Sequence, residues 1–455
     1  ELVDAELPEA MKEYANYLES QGNRNFEWLR GVAAQLKQVI GVETVNANTE
    51  DAEQFLIETL QFLIDSQGNP QQVYPIWEQQ QEKFTSILLD ILPLVASRLL
   101  TKNTEQQKIL IAFALANFGY LLQQFPVGNR WLNLELAISA YQIVLSVITK
   151  TAMPVEWAQT MANLGIVYYS RTQGDKAQNI EVAIALYQQA LSVMTKTAMS
   201  FEWAMAMVNL ANAYRERIQG NKAQNIEDAI AAYQQALSVM TKVNHSYEWA
   251  KAMTNLGNAY YFRIRGDKAE NIEDAIAAYQ QTLSVMTKTN YPFEWAVAMN
   301  NLALADRNRI QGDEAQNLED VIDIYQQILS VRTKAVMPFE WAQIMNNLAI
   351  AYCFRVRGSK SQNLEDAIAA YQDSLEVFET EVFPNDCRRT ARGLANLYCD
   401  QQHWQDAVPI YQRALYASEI LYQGANLLNS KASELSMTAD LPRRAAYAMA
   451  RTGNL

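Results

Sequence analysis

Along most of this chain apolar residues return at steps of three and four, the spacing that gathers them on one side of an α-helix. Trp157, Ala158, Met161, Leu164, Gly165 and Tyr168 make one such face, and Ala183, Ile184, Tyr187, Ala190, Leu191 and Met194 make another. The pair of faces then recurs. Trp157, Trp203, Trp249, Trp295 and Trp341 are each 46 residues apart, and Tyr187, Tyr233, Tyr279, Tyr325 and Tyr371 keep the same step. One period earlier stand Ile111 and Tyr141, with Asn117, Gly128, Asn133, Ala137 and Lys150 in register, so the array starts near residue 111. A fixed period of this size marks stacked two-helix units that bury their faces against one another. Six such units fill 111–386, and the chain is expected to be all-α.

The polar positions predict where each helix starts and stops. Pro292, Pro338 and Ser246 stand where the first helix of a unit opens, with a Glu in its first turn. Asn179, Asn225, Asn271, Asn317 and Asn363, each followed by Ile or Leu and then Glu, read as caps of the second helices. Lys196, Lys242, Lys288 and Lys334 are expected at the ends of those helices, where a cation suits the dipole. The joint between the two helices is "RGDKAENIEDAI" at 265–276, with sisters beginning at 173, 219, 311 and 357. Its recurrence, with Lys replaced by Glu314 in one copy, turns an apparent adhesion signal or phosphate loop into a helix–helix turn whose Gly takes a left-handed cap. Arg171, Arg217, Arg263, Arg309 and Arg355 close the first helices and are expected to pair with acids of the second helices. The Trp column is expected to pack between units.

Composition narrows the functional classes. With 455 residues, 49% of them apolar, the chain can bury a large core. A net charge of −13 disfavours nucleic acid and anionic membranes as partners. Cys353, Cys387 and Cys399, three without CxxC spacing, suit a reducing cytosol, so a cytoplasmic protein is expected. The most apolar run, 88–100, is too short to span a bilayer. The chain opens on Glu1 without a signal-peptide pattern and is expected to be a trimmed piece of a longer protein. His245 and His403 carry no catalytic signature, and Cys387 takes a Trp-like packing slot. No catalytic residue, metal site, cofactor or small-molecule substrate is expected.

"NLGNAYY" at 255–261, followed by Gly266, Ala275, Tyr279 and Leu283, closely resembles the consensus of the tetratricopeptide repeat, and "NLANAY" at 209–214 is nearly as good. That repeat has about 34 residues. Here Gly165 and Ala183 are 18 apart where the family has about 12, and the remaining extra residues fall between Ala190 and Ala204, so both connections are enlarged. The unit at 387–418 keeps the short spacing, Ala395 to Ala407. Residues 1–110 read as a helical N-terminal cap, and 419–455 as C-terminal helices in which "RRAAYAMARTGNL" is the first half of an interrupted further repeat.

The resemblance implies a right-handed α-solenoid whose first helices line a concave groove for an extended peptide or a partner domain. In the family the Asn of "NLG" grips the ligand main chain, which implies a ladder of Asn117, Asn163, Asn209, Asn255, Asn301 and Asn347, with the backbone of the neighbouring repeat as the alternative partner. Groove positions that vary between repeats, among them Lys251, Asn212, Asn258, Arg215, Tyr261 and Arg307, would set specificity. The expected function is a non-catalytic scaffold. The alternative is the sensory arm of a larger protein, because the long repeats also resemble those of bacterial, especially cyanobacterial, proteins that continue into a caspase-like CHAT peptidase domain. On that alternative the partner is a C-terminal domain of the same protein, beyond residue 455.

Overall fold

The computed structural model describes residues 49–424 and 428–453, and every regular element among them is helical. The first part of the expected N-terminal cap, 1–48, lies outside the described residues. Two compact units divide the chain, Glu1–Gly220 and Asn221–Leu455.

The first unit holds α1 (49–65), α2 (Pro70–Gln79), α3 (Ile87–Lys102), α4 (Glu105–Gln124), α5 (Arg130–Val147), α6 (Pro154–Ser170), α7 (Lys176–Leu191) and α8 (Ser200–Glu216). α4 with α5 and α6 with α7 pack as hairpins, and one continuous core joins them to α1–α3. At its centre Trp77 is 1% exposed, its indole edge-on to Phe84, Phe118 and Phe125 at 5.4, 5.7 and 5.5 Å. Each such aromatic pair adds about 0.5–1.5 kcal/mol beyond area burial, so α1–α3 are welded to the first hairpin rather than draped over it.

The second unit holds α9 (Lys222–Leu237), α10 (Ser246–Tyr261), α11 (Lys268–Leu283), α12 (Pro292–Arg307), α13 (Glu314–Leu329), α14 (Pro338–Phe354), α15 (Lys360–Val377), α16 (Pro384–Asp400), α17 (Trp404–Gly424), α18 (Leu428–Thr438) and α19 (Leu441–Arg451). Consecutive helices from α9 to α17 pack on one another, so each unit is a solenoid of stacked hairpins. α17 runs without a break through 419, and α19 returns against it, burying Leu441, Ala445 and Ala448. Small residues let the helices close up. A Cβ on Gly257 would stand 2.6 Å from the Tyr279 ring, and one on Gly165 2.7 Å from that of Tyr187.

The expected caps move by one turn. The second helices start three residues before the Asn positions, capped by Asp175, Asn221, Asp267, Asp313 and Ser359. Asp175 accepts from the Gln178 backbone N–H at 2.7 Å and Asp267 from that of Glu270 at 3.0 Å. Asn179, Asn271, Asn317 and Asn363 are instead buried inside the helix and donate to the carbonyls of Gln173, Arg265, Gln311 and Arg357 at 2.7, 2.8, 3.2 and 2.9 Å. The Gly that follows each of those carbonyls is left-handed, with φ between 78° and 92°, which folds the turn back over the helix start. It stands in the turn itself, beyond the C-cap position expected for it. Ser246 is likewise the first helical residue of α10 and makes no cap bond.

The lysines shift for a related reason. The second helices end before them, at Leu191, Leu237, Leu283 and Leu329. Lys150, Lys288 and Lys334 reach over the indoles of Trp157, Trp295 and Trp341 at 5.4, 5.9 and 5.2 Å, so cation–π contact replaces the expected dipole contact.

Candidate functional site: the first-helix faces

The arginine column is spent inside the protein. Arg171 meets Glu135 through Nε and Nη2 at 2.7 and 2.8 Å, and the same two-point fork joins Arg217 to Glu181, Arg263 to Glu227, Arg309 to Glu273 and Arg355 to Glu319. The acid is on a second helix, as expected, but on that of the preceding hairpin. Bidentate pairing of this kind is directional, so it fixes how one hairpin sits on the last. Arg171 and Arg263 also approach the Asn179 and Asn271 amide oxygens at 3.4 Å, tying the fork to the folded-back turn.

The predicted amides occupy two registers of the first helices, with Asn212 and Asn258 three residues beyond the column of Asn163, Asn209, Asn255, Asn301 and Asn347. In the first unit Asn163 on α6 and Asn209 and Asn212 on α8 are half-buried, while Asn117 abuts the turn at Gly68. In the second unit Asn255, Asn258, Asn301 and Asn347 are half-buried on α10, α12 and α14. Part of this set is used between hairpins. Asn258 Oδ1 accepts from Tyr279 OH at 2.8 Å and from Asn301 Nδ2 at 3.1 Å, and Asn347 Nδ2 donates to Asn300 Oδ1 at 3.5 Å. Tyr279 belongs to the same hairpin as Asn258, while Asn301 and Asn300 are side chains of the adjacent one; a backbone partner was the expected alternative to ligand. Where the Asn258 register holds Leu304, the tyrosine loses its acceptor, and Tyr325 OH is buried without a hydrogen bond.

The variable positions divide. Lys251 is exposed, its ammonium 5.3 Å from the centre of the Tyr247 ring. Tyr261 OH accepts from Asn308 Nδ2 at 2.7 Å, and its ring stands edge-to-face with Phe262 at 4.9 Å. Arg307 is half-buried and its Nη1 is enclosed without a partner. Arg307, Asn300, Asn346 and Asn347 line a cavity of about 360 Å³ between α12 and α14 together with Arg332, Gln343 and Arg389. Sequence reasoning passed over Arg332. Its signal was a cation in the "LSVRTK" copy of an otherwise apolar "LSVMTK" register.

The cysteines sit in packing roles. Cys387 is fully buried, with the Arg413 Nε–H 3.3 Å from its Sγ, and burial pushes the Cys353 thiol up to about 11. Among the described residues no helix is long and apolar enough to cross a membrane. The enlarged turns carry an apolar edge in the second unit, where Phe262, Ile264, Ile310, Phe354 and Val356 are all at least 60% exposed.

The tetratricopeptide repeat model matches residues 203–246, 249–285, 295–332 and 388–423. The chain carries tetratricopeptide repeats. The last match places the short-spaced hairpin α16–α17 among them, beside three of the 46-residue tetratricopeptide units. No curated protein matches the sequence. Among solved structures the chain is similar to a STAND signal-transduction ATPase with a tetratricopeptide repeat sensor from Pyrococcus horikoshii, at 14% identity and TM-score 0.47, covering 98% of this chain and 71% of that one. It is also similar to the apo quorum sensor NprR from B. thuringiensis, at 15% identity and TM-score 0.45, covering 82% of this chain and 99% of that one. Apo RapI matches at 15% identity and TM-score 0.43, covering 69% of this chain and 99% of that one.

Proposed function

We propose that this protein is a non-catalytic interaction scaffold that holds an extended segment of a protein partner along its first-helix faces. The observation that carries this reading is a division of labour along those helices. One register holds a half-buried Asn in every long repeat, at Asn117, Asn163, Asn209, Asn255, Asn301 and Asn347. Four residues earlier stand side chains that differ from repeat to repeat, with Gln159, Lys251 and Val297 exposed. A constant amide offers a donor and an acceptor to any main chain, and a changing neighbour reads side chains.

The test is capture of partners by the full chain carrying Asn255→Ala with Asn301→Ala. Recovery of a partner segment should fall by about tenfold or more while the melting temperature moves by only a few degrees. Undiminished capture, or a large loss of helicity, would show that the amides serve only the stacking of hairpins.

A further inference from the structure

One register of the repeat is uniformly apolar except in a single unit. Ile148, Met194, Met240, Met286 and Phe378 occupy it and are at most 2% exposed, whereas the fifth unit places Arg332 there at 7% exposure. A buried guanidinium without a counter-charge costs several kcal/mol, which is why arginines are so seldom found at such depth unpaired. Arg332 Nε has no hydrogen-bond partner among the described residues, and burial holds its pKa below the ordinary arginine value. Its guanidinium lines the same cavity as Arg307, whose Nη1 is also enclosed and unpartnered.

The rest of that lining is rich in donors. The amide oxygens of Asn300, Asn346 and Asn347 already accept from Asn347, Thr390 and Asn346 at 3.5, 3.0 and 3.4 Å, and no carboxylate lines the space. The acids nearby are Glu340, which faces Arg332, and Asp386, which pairs with Arg389 at 2.9 Å. Two guanidinium groups with unmet donors, in a cavity of about 360 Å³, call for a ligand with about two negative charges and three or more acceptor oxygens. A carboxylate brings one charge and two oxygens.

We propose that this cavity binds a phosphoryl dianion, carried by a small phosphorylated molecule or by a phosphorylated side chain of the partner. Only the second source rests on the reading of the first-helix faces given above. Arg332 and Arg307 supply the charge and the forked donors, and the Asn300 and Gln343 amides border the phosphoryl oxygens. The net charge of −13 elsewhere makes this a local preference and not a general affinity for anions.

The experiment is calorimetric titration of the full chain with inorganic phosphate, with a glycine-rich pentapeptide bearing one phosphoserine, and with acetate. Arg332→Met and Arg307→Gln are titrated in parallel. Met is the residue that sister units carry at this register, so Arg332→Met is expected to fold with an unchanged or higher melting temperature. Saturable phosphate binding that weakens at least tenfold in both variants, with acetate far weaker, is the expected result. Tighter binding of the phosphopeptide than of phosphate assigns the dianion to a partner chain, and equal binding assigns it to a small ligand. No saturable binding to the wild-type chain, undiminished binding in folded Arg332→Met, or acetate matching phosphate would each overturn the proposal. Partner capture that still depends on Asn255 and Asn301 would then leave the scaffold reading standing alone.

Discussion

A single carboxyl shows how tightly side-chain chemistry is set by position in these hairpins. Asp306, half-buried on α12, has its pKa pushed up to about 6, chiefly by burial, with Asp320 and Glu273 adding to the rise and Arg309 opposing it. Its folded-state pKa therefore lies above the ordinary value of 3.8, so the protonated acid is the form that the fold favours. That contribution is complete below about pH 4 and is lost as the pH rises through about 6. Asp306→Asn should stabilise the protein by roughly 1–2 kcal/mol at pH 7.5, after allowance for solvent screening, and by almost nothing at pH 4. Urea titrations at both pH values check this, and equal gains at the two would rule out the desolvated carboxyl as the cause. Nothing in the residue's own neighbourhood along the chain announces this environment. It follows from a first helix being covered on both sides by other helices.

At the scale of one helix the turn chemistry separates what was readable from what was not. In "GDKAEN" the spacing predicts Asn271 as the cap, and the structure caps the helix with Asp267 instead. The left-handed Gly266 decides, because it turns the Arg265 carbonyl back over the helix and only a side chain one turn inside can reach it. Asp267→Ala removes an exposed cap and should cost about 1 kcal/mol. Asn271→Ala orphans a buried carbonyl and should cost more, about 1–3 kcal/mol. Thermal unfolding of the two variants compares them directly, and a larger loss for Asp267→Ala than for Asn271→Ala would show that the cap, and not the buried bond from Asn271 to the Arg265 carbonyl, dominates the turn. The helices themselves, and their return every 46 residues, were legible because amphipathic periodicity is a property of the chain alone.

Across a whole unit the hairpins are held by apolar stacking and by the repeated Arg–Glu fork. In the second unit Arg263 holds the Glu227 carboxyl below its ordinary value of 4.5, through a hydrogen bond more than through distant charge. A depressed carboxylate stabilises the fold above its unfolded value and loses that contribution as the pH falls below it. A double-mutant cycle of Glu227→Gln with Arg263→Gln should give a coupling of about 1 kcal/mol at pH 7, shrinking at high salt and toward pH 3. Denaturant midpoints measure it, and a coupling of zero at pH 7 would reduce the fork to a surface decoration. Since repeat proteins gain stability from nearest-neighbour interfaces, the loss should be felt chiefly where adjacent hairpins meet.

The amino-acid sequence by itself determined the helices, their pairing in units of 46 residues and the register in which Trp, Tyr and Asn recur, since each is written in local spacing. It also pointed to the arginine column pairing with second-helix acids. Tertiary structure decided which acid and which amides are spent between hairpins, because those choices depend on contacts between residues some 36 to 47 positions apart. It also decided the meaning of Arg332. In the sequence that residue is one exception in an apolar column, and only packing shows that the exception is buried, with its Nε unpartnered, and turned into a cavity shared with Arg307.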